Sequence, residues 1–168
     1  MSDGTGSLKY EIHQNKPFHS IRHEAVLGLL KTTDLVRRVI SGVVEPAGIT
    51  MQQYNVLRIL RGAGNAALPM LEIRKRMIEQ TPGITRLLDK LERRGWVTRN
   101  RHAGDRRQVL CGITPEGKKL IDSLDVAMEA IYDRLLGTVS HTEVKSMVEA
   151  MDKLRASQSA KSARPVAS

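Results

Sequence analysis

Apolar residues recur along most of this chain with a period near 3.6, and the period drops to 2 in one short stretch. Between His19 and Ser41, the set Ile21, Ala25, Val26, Leu29, Leu30, Val36, Val39 and Ile40 predicts a long amphipathic helix, with Gly42 placed to end it. A break follows at Glu45-Pro46. Thr50 and Gln53 have the spacing of a capping box, and Tyr54, Leu57 and Leu60 give a second helix its buried stripe up to Gly62. Pro69, whose missing N–H does no harm in a first turn, opens a third, short helix. There Leu71, Ile73 and Met77 supply the apolar side, with Arg74, Lys75 and Arg76 on the other face.

In the fourth predicted helix Thr81 is the cap, Pro82 the first residue and Gly95 the stop. Ile84, Leu87, Leu88 and Leu91 point one way, which leaves Gly83, Arg86, Lys90 and Arg93 outward. Trp96 to Arg101 alternates as a strand, His102 to Arg107 is a polar loop around Gly104, and Gln108 to Ile113 returns to complete a hairpin. Thr114-Pro115 caps a long helix carrying Leu120, Leu124, Met128, Ile131 and Leu135. After Gly137, a second capping box from Ser140 to Glu143 starts a last helix lined by Val144, Met147, Val148 and Met151. The fold class expected is mainly α with a small β-hairpin. Residues 1–17 are expected to be a flexible arm and 157–168 a flexible tail.

Charge sharpens this picture. The 168 residues carry a formal net charge of +9, and the segment from Met70 to Gln108 alone holds eleven basic side chains against five acidic ones. Positive charge gathered on two short helices and a hairpin points to an anionic partner, nucleic acid first. A generic charged surface is the alternative, and the pattern of inner and outer faces argues against it. A membrane partner is not expected, since the chain lacks an apolar run of about 18 residues. Its opening has neither a basic nor an apolar leader region, so the expected location is the cytoplasm. A single cysteine, Cys111, excludes an internal disulfide framework and a multi-thiolate metal site; it sits where a strand expects a buried apolar residue.

Other chemistry finds little support. Gly62-Ala63-Gly64-Asn65-Ala66-Ala67 fits a dinucleotide fingerprint by letter but follows a helical stripe instead of a strand, so it reads as an inter-helix turn. His19 and His23 lie four apart, with Glu24 adjacent and His13 upstream, a spacing able to hold a metal; no further ligand motif converges on it, and no metal or cofactor is expected. Nucleophile elbows, phosphate loops and paired catalytic carboxylates are missing, so the chain is not expected to be an enzyme.

The order helix, helix, helix, helix, hairpin, helix, helix suits duplex DNA. A short helix with a basic outer face and an apolar inner face fits the major groove, about 12 Å wide, and an arginine-bearing hairpin tip fits the narrow minor groove beside it. The run Thr81-Pro82-Gly83-Ile84-Thr85-Arg86-Leu87-Leu88-Asp89-Lys90-Leu91-Glu92-Arg93-Arg94-Gly95-Trp96-Val97, then Asp105-Arg106-Arg107 and Ile113-Thr114-Pro115-Glu116-Gly117, closely resembles the MarR family of bacterial winged helix-turn-helix transcription regulators.

That resemblance implies a winged helix-turn-helix domain over 49–114, flanked by N- and C-terminal dimerisation helices over 18–48 and 115–156. It implies a homodimer on a pseudo-palindromic operator in double-stranded DNA, acting as a repressor and released by a small aromatic or phenolic acid. Recognition-helix contacts carry over to Gln80, Thr81, Gly83, Thr85, Arg86 and Lys90, with Arg86 foremost at the bases. In the wing, Asp105 steadies the hairpin, Arg107 enters the minor groove and Arg106 assists at the phosphates. His19, Arg22 and His23 are candidate effector contacts. Two departures stand out: Pro82 and Gly83 replace the usual Ser or Thr, which shifts weight to Gln80 and Thr81, and Arg74 stands where many relatives have Ala. A non-specific architectural DNA binder and a protein-interaction adaptor are the rival readings.

Overall fold

Ser20 and Thr50 each begin a helix by turning a hydroxyl back on the first free N–H groups. Ser20 Oγ accepts from the His23 N–H at 3.2 Å and starts α2 (Ile21–Val44). Thr50 Oγ1 accepts from the Gln53 N–H at 3.3 Å while Gln53 Oε1 accepts from the Thr50 N–H at 2.9 Å, the complete capping box of α3 (Met51–Gly62). The computed structural model describes residues 7–79, 83–101 and 108–162, apart from the side chains of 159–162. A short helix, α1 (Leu8–Glu11), precedes these two within the segment expected to be a flexible arm, and it packs on α2.

Gly42 does not end α2. The helix runs on to Val44, which lies fully inside the core, with Glu45 as its cap. The left-handed residue is Gly48, at φ +77°, in the turn that follows, where the Gly48 N–H donates to the Glu45 carbonyl at 2.8 Å and the Ile49 N–H to the Val44 carbonyl at 3.3 Å. Leu68 and Pro69 differ from expectation too. They form a strand, β1 (Leu68–Pro69), and Pro69 is the cap of α4 (Met70–Arg76) and not its first residue. Two residues are too few to show an alternating pattern, and an edge position tolerates the missing proline N–H. The expected hairpin is therefore part of a three-stranded antiparallel sheet in the order β1-β3-β2, with β2 at Val97–Arg101 and β3 at Val109–Ile113. Its register sets Leu68 opposite Cys111 and Arg99 opposite Cys111 from the other side.

On α4, Leu71 is 62% exposed, contrary to its expected place inside. Successive residues of a helix turn by about 100°, so Leu71 and Ile73 cannot share a face; the inner stripe is Met70, Ile73 and Met77, with Ile73 fully buried. The core joins Val44, Ile49, Val56, Leu57, Leu60, Ile73, Leu88, Leu91, Val97, Cys111 and Ile121. Burial of so many aliphatic side chains, each contributing about 1.5–3 kcal/mol, fixes the frame that carries α5 (Ile84–Arg93).

Thr114 caps α6 (Pro115–Leu136), its Oγ1 accepting from the Gly117 N–H at 3.0 Å and donating to the Gly95 carbonyl at 2.7 Å. Arg61 of α3 reaches α6 through Asp122 at 3.0 Å and Asp125 at 2.8 Å. Residues through Met128 form one compact unit and those from Glu129 onward a second. In the second, α7 (His141–Ser162) starts at the Ser140–Glu143 capping box and runs past the expected end at 156. Its Met147, Val148 and Leu154 are exposed, and no described helix is long and apolar enough to cross a membrane.

Candidate nucleic-acid interface

Helix α5 begins at Ile84, with Gly83 as its cap at φ +103°, a left-handed conformation open to glycine at little cost. That start is two residues later than Pro82, so Gly83 presents backbone at the helix end and no side chain; Gln80, Thr81 and Pro82 themselves lie outside the described residues. The far end is closed by Gly95 at φ +73°, where the Gly95 N–H donates to the Glu92 carbonyl at 2.8 Å and the Trp96 N–H to the Leu91 carbonyl at 3.0 Å. This paired closure satisfies two end carbonyls and turns the chain sharply into β2.

Ile84, Leu87, Leu88 and Leu91 of α5 are all buried, so the helix cannot roll about its axis without exposing them. Thr85, Arg86, Lys90 and Arg93 are exposed as a consequence. Neither the Arg86 nor the Lys90 side chain forms a hydrogen bond or ion pair with another described residue, whereas Arg93 Nε donates to the Asp89 carbonyl at 3.3 Å. Thr85 Oγ1 rests 3.7 Å from Met70 Sδ, which ties the first turn of α5 to that of α4. A groove of about 210 Å³ runs beside this face, with Thr50 and Gln52 at the start of α3 on one wall and Gly83, Arg86 and Lys90 on the other. The positive end of α3 and two exposed cations, without side-chain partners among the described residues, thus border one anion-attracting surface.

The eleven basic residues of the cluster do not act alike. Arg99 of β2 is spent internally: its Nε donates to Glu92 at 2.8 Å, and its Nη2 lies 2.6 Å from Asp89 and 2.5 Å from Glu92, so one guanidinium clamps the sheet to α5. The hydrogen bond to Glu92, ahead of the nearby charges, holds Arg99 above the ordinary arginine pKa. Arg94 is bound as well, donating to the Gly48 carbonyl at 3.1 Å and lying 5.1 Å over the Trp96 ring. Arg76 pairs with Glu72 at 2.8 Å, and that hydrogen bond keeps the Glu72 carboxyl below its ordinary pKa. Arg74, Lys75, Arg86, Lys90 and Arg101 remain exposed. Arg74 faces away from the core and Ile73 takes the buried position, so the arginine does not crowd α5. Asp105, Arg106 and Arg107 lie outside the described residues.

Sequence reasoning missed Arg99, although strand alternation held the signal. Val97 is buried, so Arg99 two residues on shares its inward side and needs carboxylate partners. It also missed the turn after α4. There Glu79 pairs with Arg37 of α2 at 2.8 Å and accepts from Gln52 Nε2 of α3 at 3.5 Å, while the Ile78 N–H donates to Asn55 Oδ1 at 2.9 Å.

Near the start of α2, His19 and His23 stack at 5.5 Å between ring centroids, and Phe18 meets His23 edge-on at 5.8 Å. Nδ1 of His23 is buried without a described hydrogen-bond partner, and the neighbouring Arg22 is exposed. No cluster of three potential metal ligands occurs among the described residues. Cys111 is fully buried, and burial pushes its thiol pKa up to about 11, as suits a core side chain and not a reactive thiolate.

Comparison with known proteins places these features in company. The model of the MarR family matches residues 49–109. A MarR transcription factor from Planctomyces limnophilus is 32% identical and has a TM-score of 0.64, the match covering 81% of this chain and 98% of that one. The HTH-type transcriptional regulator FarR from Neisseria gonorrhoeae is 27% identical over 115 residues, 68% of this chain and 77% of FarR. BpsR of Bordetella bronchiseptica, whose DNA binding is regulated by 6-hydroxynicotinic acid, shares the fold with a TM-score of 0.68 at 23% identity, over 78% of this chain and 98% of BpsR.

Proposed function

This chain belongs to the MarR family and is a DNA-binding transcription regulator, not an enzyme; from that premise we propose that it is a repressor that binds a pseudo-palindromic operator as a homodimer. The observation that carries the reading is the outer face of α5. Arg86 and Lys90 stand exposed without described partners on a helix whose other face is locked into the core. Arg86 and Thr85 read base edges in the major groove, and Lys90 sits at the phosphates. Gln80, Thr81 and the Gly83 backbone complete the reading helix, and Asp105, Arg106 and Arg107 form the wing that enters the minor groove.

The homodimer reading rests on apolar surface. Ile21, Val26, Leu29, Leu30 and Leu35 of α2 are exposed in the single chain, and so are Met147, Val148 and Leu154 of α7. Apolar stripes of this kind usually mark an interface, and residues 18–48 and 115–156 are the proposed dimerisation segments. Two reading helices must lie about 34–36 Å apart to enter successive major grooves. A small aromatic or phenolic acid that alters this spacing would release the DNA, with His19, Arg22 and His23 as proposed contacts; regulation of BpsR by 6-hydroxynicotinic acid supports the ligand class by analogy.

The test starts with duplexes enriched from a random pool on the purified protein, followed by footprinting and fluorescence anisotropy. Two protected half-sites one helical turn apart are expected. Arg86→Ala should weaken binding by about tenfold or more, at the level of about 1–3 kcal/mol per base contact. A single protected half-site, or equal affinity for every duplex, would overturn the reading in favour of an architectural binder.

A further inference from the structure

The segment that leaves α4, at Ile78 and Glu79, is held from outside that helix. Glu79 lies four positions before Gly83, the cap of α5, and its carboxylate receives Arg37 of α2 at 2.8 Å and Gln52 from the first turn of α3 at 3.5 Å. Asn55, one turn further along α3, fixes the neighbouring Ile78 N–H at 2.9 Å. All these residues belong to the same compact unit. The Arg37 and Glu79 side chains are 49% and 27% exposed, so the pair adds little to global stability, typically about 0–1 kcal/mol. Its placement is the unusual feature, since an exposed ion pair joins the helix bearing the apolar stripe to the segment that leads into the reading helix.

We propose that Glu79 is a positioning residue for DNA binding: through Arg37 and Gln52 it transmits the setting of α2 to the start of α5. This rests on the reading of α5 as the DNA-contacting helix. A shift of α2 along or away from α3 stretches the Arg37–Glu79 contact, and the turn then loses the anchor that sets where Arg86 stands. Glu79 contributes by geometry and not by its charge toward DNA, because a carboxylate beside a DNA-binding face repels phosphate.

That sign difference makes the test decisive. Glu79→Gln removes a negative charge, so simple electrostatics predicts equal or tighter binding to the enriched duplex. The positioning role predicts binding weaker by about fivefold, the low end of coupling between linked sites. The melting temperature should stay within about 4 °C of the wild type, as expected for a surface pair. Arg37→Gln, which breaks the bridge from the α2 side, should weaken binding in the same way even if Glu79→Gln folds poorly. The reversed pair, Arg37→Glu with Glu79→Arg, should recover most of the loss. Unchanged or tighter binding by a folded Glu79→Gln, or a reversed pair weaker than either single variant, overturns the inference while leaving duplex binding by the wild type intact. A wild type that enriches no duplex overturns the reading of α5 and this inference together.

Discussion

Arg86 and Arg99 have the same side chain seven and twenty positions from Glu79, yet the fold gives them opposite roles. Arg86 stands outside on α5, whereas Arg99 closes onto Asp89 and Glu92 and holds α5 against β2. Arg99→Ala leaves two carboxylates without their partner in a half-buried site, and a loss of about 1–2 kcal/mol is expected, between an exposed and a buried ion pair. Urea titration would measure it, and a stability equal to the wild type would show that the clamp contributes nothing. Cys111 gives a second prediction at this scale. With its thiol pushed up to about 11 by burial, only about one molecule in a thousand is thiolate at pH 8, and the group is covered besides. Alkylation in native buffer should proceed at the rate of global opening, and labelling as fast as in denaturant would contradict the burial. The pH consequence has a definite sign: a folded pKa above the ordinary value of 9.0 favours the native state at lower pH, so this contribution is lost as pH rises from about 9 to about 11.

Among the elements, those built on caps and long stripes were legible in the sequence. Thr50 with Gln53, Ser140 with Glu143, and Thr114 ahead of Pro115 all begin helices as their spacing predicts. Ile84, Leu87, Leu88 and Leu91 give the inner face of α5. Features set by tertiary contact were not legible. Gly42 resembles a stop signal, but burial of Val44 draws the helix onward; Leu68 and Pro69 become a strand only because β3 offers a free edge. The outward face of α5 could be read from its period, while the bracing by Arg99 and Glu79 joins residues far apart in the chain or on different elements. One close approach tests how tightly the elements fit. A Cβ on Gly117 would lie 2.2 Å from the Trp96 carbonyl oxygen, a rigid backbone atom at the seam between α6 and the sheet. Gly117→Ala must therefore displace α6 or the strand, and a loss of about 1–3 kcal/mol is expected, visible as a lower melting temperature. An unchanged melting temperature would mean that the seam is looser than described.

For the whole molecule, the charge balance fits a DNA-binding regulator, and the exposed apolar stripes on α2 and α7 are what the proposed homodimer would cover. The net charge of +9 draws any polyanion, so affinity alone distinguishes nothing; a shaped reading surface should instead separate one duplex from another. The deciding measurement is the affinity for the enriched duplex and for random duplex across a salt series. Sequence-specific reading by α5 predicts a preference of about a thousandfold or more for the enriched sequence, with log K falling linearly against log salt for both. Equal affinity for the two duplexes at every salt concentration, or binding with no salt dependence, would contradict it.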